Sequence, residues 1–164
     1  MNILNYTLSI ALLLGTSTAV AAEPPPASQA SRTESGITDT IVSKTMEFSH
    51  TWNTGDINRY IGSYEQTGDF ALYYSGGQNL GIESARELYL TTWPTKQAMG
   101  EFEVFNVTAR ILSPTTALSH GLFQHRFPDK TVDGNFTLVW RLRDDGDWEI
   151  AHEHSARIRV EKRN

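Results

Sequence analysis

Apolar residues recur at helical spacing from Ile37 onward. Ile37, Ile41, Phe48 and Trp52 share one face, while Ser43, Glu47 and His50 turn away, which predicts an amphipathic helix. Gly55 is placed to end that helix in a left-handed cap, and Asp56 to cap a second, short helix carrying Ile57, Tyr60 and Ile61. Phe70 to Tyr74 reads as a short strand closed by Gly76-Gly77. Ile82, Ala85, Tyr89 and Trp93 mark a third helix, stopped by Pro94. Beyond Glu101 the apolar period shortens toward two. Strands are predicted over 101–112, 117–127, 135–143 and 148–160, separated by a Ser113-Pro114 turn, a loop over 128–134 and an Asp144-Asp145-Gly146 hairpin turn. Helices first and a run of antiparallel strands after them predict an α+β fold, with the helices on one face of a curved sheet.

The first 22 residues carry no charged side chain. The apolar run Ile10 to Leu14 leads into small residues ending Ala19-Val20-Ala21-Ala22, the outline of a secretory signal peptide over 1–22. No Lys or Arg precedes the apolar run, so an uncleaved anchor is the alternative. The strongly apolar part falls short of the ~20 residues that a membrane span needs. Residues 23–36, with Pro24, Pro25 and Pro26, read as a flexible linker, and a single domain is expected over 37–160. A periplasmic or secreted location follows, with no stable membrane span once the signal is removed. The chain has no cysteine, which excludes disulfides, thiolate metal sites and a cysteine nucleophile. A net charge of -5 offers no surface for a polyanion, so nucleic acid is not an expected partner. No P-loop, dinucleotide fingerprint or G-x-S-x-G elbow is present, and no cofactor is expected.

Three segments, in order, carry a resemblance over roughly Ile37 to Arg157. They are Trp52-Asn53-Thr54-Gly55-Asp56; Gly76-Gly77 with Gly81-Ile82-Glu83-Ser84-Ala85; and Asn135 to Trp140 followed by Asp145 to Ser155. The last contains Trp148, His152 and His154 in a G-x-W-x-x-x-H-x-H-[ST] close. Together they resemble the SnoaL-like branch of the nuclear transport factor 2-like superfamily, which includes ketosteroid isomerases, polyketide cyclases, dehydratases and the association domain of calcium/calmodulin-dependent kinase II. The resemblance implies a cone-shaped α+β fold, a pocket between sheet and helices, and a homodimer through the outer sheet face. It leaves the chemistry open. The acid of the isomerases has no counterpart where it would be sought, at Leu138, Trp140 and His152. Leu118 to Phe123 also lacks the pocket arginines of the kinase domain.

Strict alternation along the last strand places Trp148, Ile150, His152 and His154 on one face, and Glu149, Ala151, Glu153 and Ser155 on the other. The first set, apolar bulk with two imidazoles, is the expected pocket face. His152 and His154 would there contact a carbonyl or anion, shuttle protons, or close the sheet structurally. A cupin-like metal site is the weaker reading of H-x-H, because the chain ends ten residues after His154, and no metal is expected. Trp52, Tyr64, Tyr74 and Trp93 are candidates for the pocket wall or the core. Arg126 and Arg141 lie within strands, and Arg141 is a candidate for a ligand carboxylate. Asp69, just before the first strand, is a candidate catalytic acid beside His152 and His154. Two functions stand: a binding module for a small, partly apolar molecule, or an isomerase, cyclase or dehydratase using histidine acid–base chemistry. A pure oligomerisation domain is the third. A buried carboxylate within reach of a histidine in the cavity would separate the first two.

Overall fold

The computed structural model describes residues 27–163, so the expected signal peptide over 1–22 and the proline run lie outside the described residues. The first helix, α1, spans Ala27–Thr54. It therefore begins ten residues before Ile37, over most of the stretch expected to be extended. No proline follows Pro26 until Pro94, and Ala, Gln, Arg and Glu between 27 and 36 are good helix formers. The prolines ahead of them masked this. Packing begins near Ile37, which leans on the core, and Ile41, Thr45, Phe48, Ser49 and Trp52 form the buried stripe.

The Trp52 to Asp56 segment is an anchor as well as a helix stop. The Trp52 indole N–H donates to the Met99 carbonyl at 2.9 Å. Asn53 holds both backbone groups of Phe102: its Nδ2 donates to the carbonyl at 2.6 Å and its Oδ1 accepts from the N–H at 2.8 Å. Gly55 takes a φ of 82°, which strains a residue bearing a Cβ. Asp56 Oδ1 caps α2 (Ile57–Ile61) by accepting from the Arg59 N–H at 3.0 Å.

After α2 come β1 (Ala71–Tyr74), β2 (Gly77–Leu80), α3 (Ile82–Thr92), α4 (Lys96–Met99) and four long strands, β3 (Glu101–Ser113), β4 (Thr116–Arg126), β5 (Lys130–Leu142) and β6 (Trp148–Lys162). They form one sheet in the order β2-β1-β6-β5-β4-β3. All neighbours are antiparallel except β1 and β6. The strand β2 and the single turn α4 carry too few apolar residues to announce themselves in sequence. The expected loop over 128–134 is shorter, because β5 already pairs with β4 at Thr131 and with β6 at Lys130. The Phe127 N–H donates to the Lys130 carbonyl at 2.8 Å and closes the turn.

The helices lie on the concave face of the sheet, with α1 against β3 and β4. A hydroxyl–hydroxyl hydrogen bond of 2.9 Å links Thr45 to Ser119 on β4, and Ser119 also accepts from the Trp140 indole N–H at 2.9 Å. These buried polar atoms fix how α1 sits across the strands.

The pairing of β5 with β6 slips by one residue. Trp140 faces Ile150 but Val139 faces His152, so Ala151 is an extra residue on β6, a β-bulge. Alternation restarts after it with the opposite parity. Leu138 then faces Glu153 and Phe136 faces Ser155, and Leu138, Phe136 and Glu153 are all buried.

Replacing Asn53 with Ala removes both clasps on Phe102. Urea denaturation should show a loss of about 1–2 kcal/mol, the worth of one or two modest hydrogen bonds. A variant as stable as the wild type would show that the clasp contributes nothing to folding.

Candidate functional site

A cavity of about 540 Å³ opens between the helices and the concave face of the sheet. Phe48 and Trp52 reach it from α1, Tyr60 from α2, Tyr89 and Trp93 from α3, and Leu72 and Tyr74 from β1. The strands add Phe102, Phe123, His125, Phe136 and Leu138, with Glu153, Ser155 and Arg157 from β6. The wall is thus mostly aromatic, with few polar groups, as small-molecule pockets are.

The bulge at Ala151 corrects the expected pocket face. His152 and His154 do not line the cavity; Glu153 and Ser155 do. His152 is half-buried on the outer face, its ring 5.5 Å from that of Tyr73, and His154 is exposed. Burial lowers the His152 pKa below its ordinary value, and His154 adds to the lowering. Among the aromatic candidates, Trp52, Tyr74 and Trp93 line the cavity. Tyr64 is fully buried behind it. Trp148 is half-buried against the core, away from the cavity. Arg141 lies outside the cavity too, its Nη1 donating to Glu65 Oε1 at 2.6 Å. Asp69 is exposed in the turn before β1, its N–H donating to Thr67 Oγ1 at 3.2 Å. It approaches neither the cavity wall nor either histidine of β6 as a hydrogen-bond partner. Arg126 sits among Glu101 and Glu103 at the edge of the sheet.

The polar heart of the cavity is Glu153, only 8% exposed. Its Oε2 accepts a 2.6 Å hydrogen bond from the Tyr64 hydroxyl. Tyr64 also lies 2.7 Å from the Tyr89 hydroxyl and 3.2 Å from that of Tyr60. Oε1 has no protein partner among the described residues. Burial pushes the carboxyl up to about 7, against the opposing hydrogen bond from Tyr64. The same burial, with the Glu153 charge nearby, holds all three tyrosines well above their ordinary range, so they remain neutral donors.

A second titratable group lies apart from Glu153. Only a protonated Nε2 of His125 can bond to the Met99 carbonyl, 2.6 Å away. Nδ1 is then the unprotonated acceptor. Burial among Trp52, Trp93, Phe102 and Phe127 drives the His125 pKa down to about 4. The imidazole is therefore neutral across the physiological range.

The cavity thus holds one protonatable carboxyl, a chain of neutral hydroxyl donors and one neutral imidazole. Glu153, Tyr60 and Tyr89 were not site candidates on sequence. A count of cross-strand partners through the Asp144-Asp145-Gly146 turn would have needed the bulge, which nothing in the sequence marks. Among the described residues, no three His, Asp or Glu side chains converge as a metal-binding group.

The cone of helices on a curved mixed sheet, with a carboxyl at the heart of its cavity, defines a class of pocket-bearing α+β proteins. Solved structures share its architecture. An NTF-2-like protein of unknown function from Shewanella oneidensis is 28% identical, covers 72% of this chain and 97% of its own, and has a TM-score of 0.66. A candidate ketosteroid isomerase from Parabacteroides distasonis is 17% identical, with 75% and 89% covered and a TM-score of 0.62. A candidate scytalone dehydratase from Novosphingobium aromaticivorans is 14% identical, with 77% and 88% covered and a TM-score of 0.58. No protein-family profile and no curated protein matches the sequence. In fold, the chain is of the nuclear transport factor 2-like type.

The two buried groups act on stability with opposite signs. Glu153 binds its proton more tightly when folded, so its contribution is full below about 4.5 and is lost as pH rises through about 7. His125 sheds its proton on folding, so its contribution is lost as pH falls from about 6.5 through about 4. Between these limits the two slopes oppose each other. Glu153→Gln removes one of them. Urea denaturation should find the stability of this variant, measured against wild type, rising between pH 4.5 and 7. The gain should be on the order of 3 kcal/mol, from ~1.4 kcal/mol per pKa unit. A difference independent of pH would mean that Glu153 titrates as an ordinary carboxylate.

Proposed function

We propose that this chain is an exported small-molecule-binding domain of the SnoaL-like branch, which holds a mostly apolar ligand in the conical cavity. The observation that carries the reading is the aromatic cavity itself, with Glu153 and the Tyr64 network as a buried polar patch on its wall. A ligand with a ring system or chain and one oxygen function fits that pattern. The aromatic wall supplies burial, and the carboxyl supplies a hydrogen bond at one end. Export rests on the sequence outline of residues 1–22. Among the described residues, no helix is long and apolar enough to cross a membrane. A second copy is proposed to cover the outer sheet face, where Phe105 and Tyr73 stand exposed.

The second reading is catalytic. Glu153, pushed up to about 7, is poised near neutral pH to take or give a proton. Tyr64 would steady its carboxylate form. This is chemistry of the isomerase or dehydratase kind, the activities after which two of the similar structures are described. The acid–base group of this reading is Glu153, in place of the histidines expected from sequence.

Ligand-observed NMR of a fragment collection tests the binding reading. Leu88 lines the cavity from α3, and Leu88→Trp should fill it and abolish the hits. Hits that persist unchanged would place binding elsewhere. Hits that carry a carbonyl test the second reading in heavy water. Deuterium incorporation that wild type catalyses, and that Glu153→Gln slows by ~10²–10⁴-fold while still binding, would favour catalysis. Equal exchange with both proteins would favour a binding module.

A further inference from the structure

Three charged side chains line the cavity: Glu153 at its heart, and Lys130 and Arg157 on the sheet wall. The register of β5 and β6 gives their order. Going outward, Leu138 faces Glu153, Phe136 faces Ser155, Gly134 faces Arg157, and Lys130 ends the row opposite Lys162. Four residues of β5 separate the Glu153 rung from the Arg157 rung, a span of roughly 13 Å at ~3.3 Å per residue. Between them the wall is Phe136 and the ring of Phe123. That ring crosses Gly134, where a Cβ would lie 2.3 Å from its Cζ.

The two cations are held in place without being neutralised. The Arg157 backbone N–H donates to Ser75 Oγ at 2.8 Å, and the guanidinium itself makes one long contact, Nη2 to the Ser75 carbonyl at 3.5 Å. The Lys130 ammonium lies 5.2 Å from the centre of the Phe127 ring. Neither forms an ion pair among the described residues, whereas Arg126, Arg141 and Arg159 on the strands and Arg143 just after β5 each have a carboxylate partner; exposed Arg110 on β3 has none either. In a chain of net charge -5, the outer part of the cavity is therefore locally cationic. Arg157 is exposed and Lys130 half-buried, so an anion there would keep part of its hydration.

We infer that the cavity takes an amphiphile with an anionic end: its apolar body lies on Phe123 and Phe136, its carboxylate or similar anion meets Arg157 and Lys130, and its far end reaches toward Glu153. This rests on the binding reading and adds the ligand's charge and orientation to it. The spacing favours a body of about ten carbons or a two-ring system over a compact metabolite.

Three probes of equal chain length, decanoate, 1-decanol and decyltrimethylammonium, separate charge from apolar burial. Isothermal titration at pH 8 and low salt should give decanoate a Kd at least tenfold below that of decanol, with the cation weakest. In Lys130→Gln/Arg157→Gln, decanoate should fall to the level of decanol, while decanol binds as it does to wild type. Unchanged decanol binding also shows that the variant is folded. Equal affinities for decanoate and decanol in wild type, or a preference that survives the double substitution, would overturn the anionic assignment and leave the cavity reading standing. Tightest binding of decyltrimethylammonium would overturn it in favour of Glu153 as the dominant charge. Binding of none of the three would count against the cavity reading as well.

Discussion

Ile150 is gripped from both sides of its strand. On one side its N–H donates to the Ser63 carbonyl at 3.0 Å and its carbonyl accepts from the Glu65 N–H at 2.8 Å. On the other it pairs with Trp140. Two residues later β6 must join β1, where His152 faces Ala71. The extra residue, Ala151, absorbs the change of partner. The same backbone grip sets Tyr64 beside Ile150, three residues from the carboxyl that its hydroxyl reaches. The parity of β6, the burial of Glu153 and the hydrogen bond that steadies it therefore share one cause. A bulge re-aims side chains, and here it exchanges two imidazoles for a carboxyl on the cavity wall.

Burying that carboxyl costs the protein part of the stability that the aromatic wall supplies, and the cost grows as the group ionises. Tyr64 offsets it, and Tyr89 and Tyr60 extend the hydroxyl chain away from the carboxyl. His125 solves the same problem in the other way, by staying neutral on the Met99 carbonyl. That carbonyl accepts from Trp52 as well, so the helix anchor and the cavity imidazole share one acceptor. A change at Trp52 would thus alter the cavity wall directly and, through the shared Met99 carbonyl, at His125 as well.

Much of the fold was legible because its signals are local. The apolar stripe from Ile41 to Trp52, the left-handed turn at Gly55, the Asp56 cap and the four long strands all follow from spacing and turn chemistry within a few residues. The site was legible only in part. Trp52, Tyr74 and Trp93 were read from helix spacing and strand position, which the fold preserves. His152 and His154 were misplaced because strict alternation was carried through a residue that breaks it. Bulges depend on pairing with distant strands, and no residue type at Ala151 announces one. The helix start at Ala27 was missed for a compositional reason: three prolines coloured the reading of ten residues beyond them.

The motifs that best marked the superfamily turn out to serve architecture. Trp52 and Asn53 fasten α1 to the backbone of Met99 and Phe102, and the H-x-H pair faces away from the cavity. The groups that give the cavity its chemistry, Glu153, Arg157 and Lys130, are side chains on β5 and β6, whose pairing is made by the backbone. A fold held together by one set of residues can therefore change what it binds by altering another. In this chain the cavity carries a polar axis along β5 and β6, with a protonatable acid at the inner end, cations without an ion-pair partner among the described residues at the outer end and aromatic rings between. Sheet pairing sets the distance between those ends, so under the proposed binding reading selectivity for ligand length and for ligand charge would both follow from the same register.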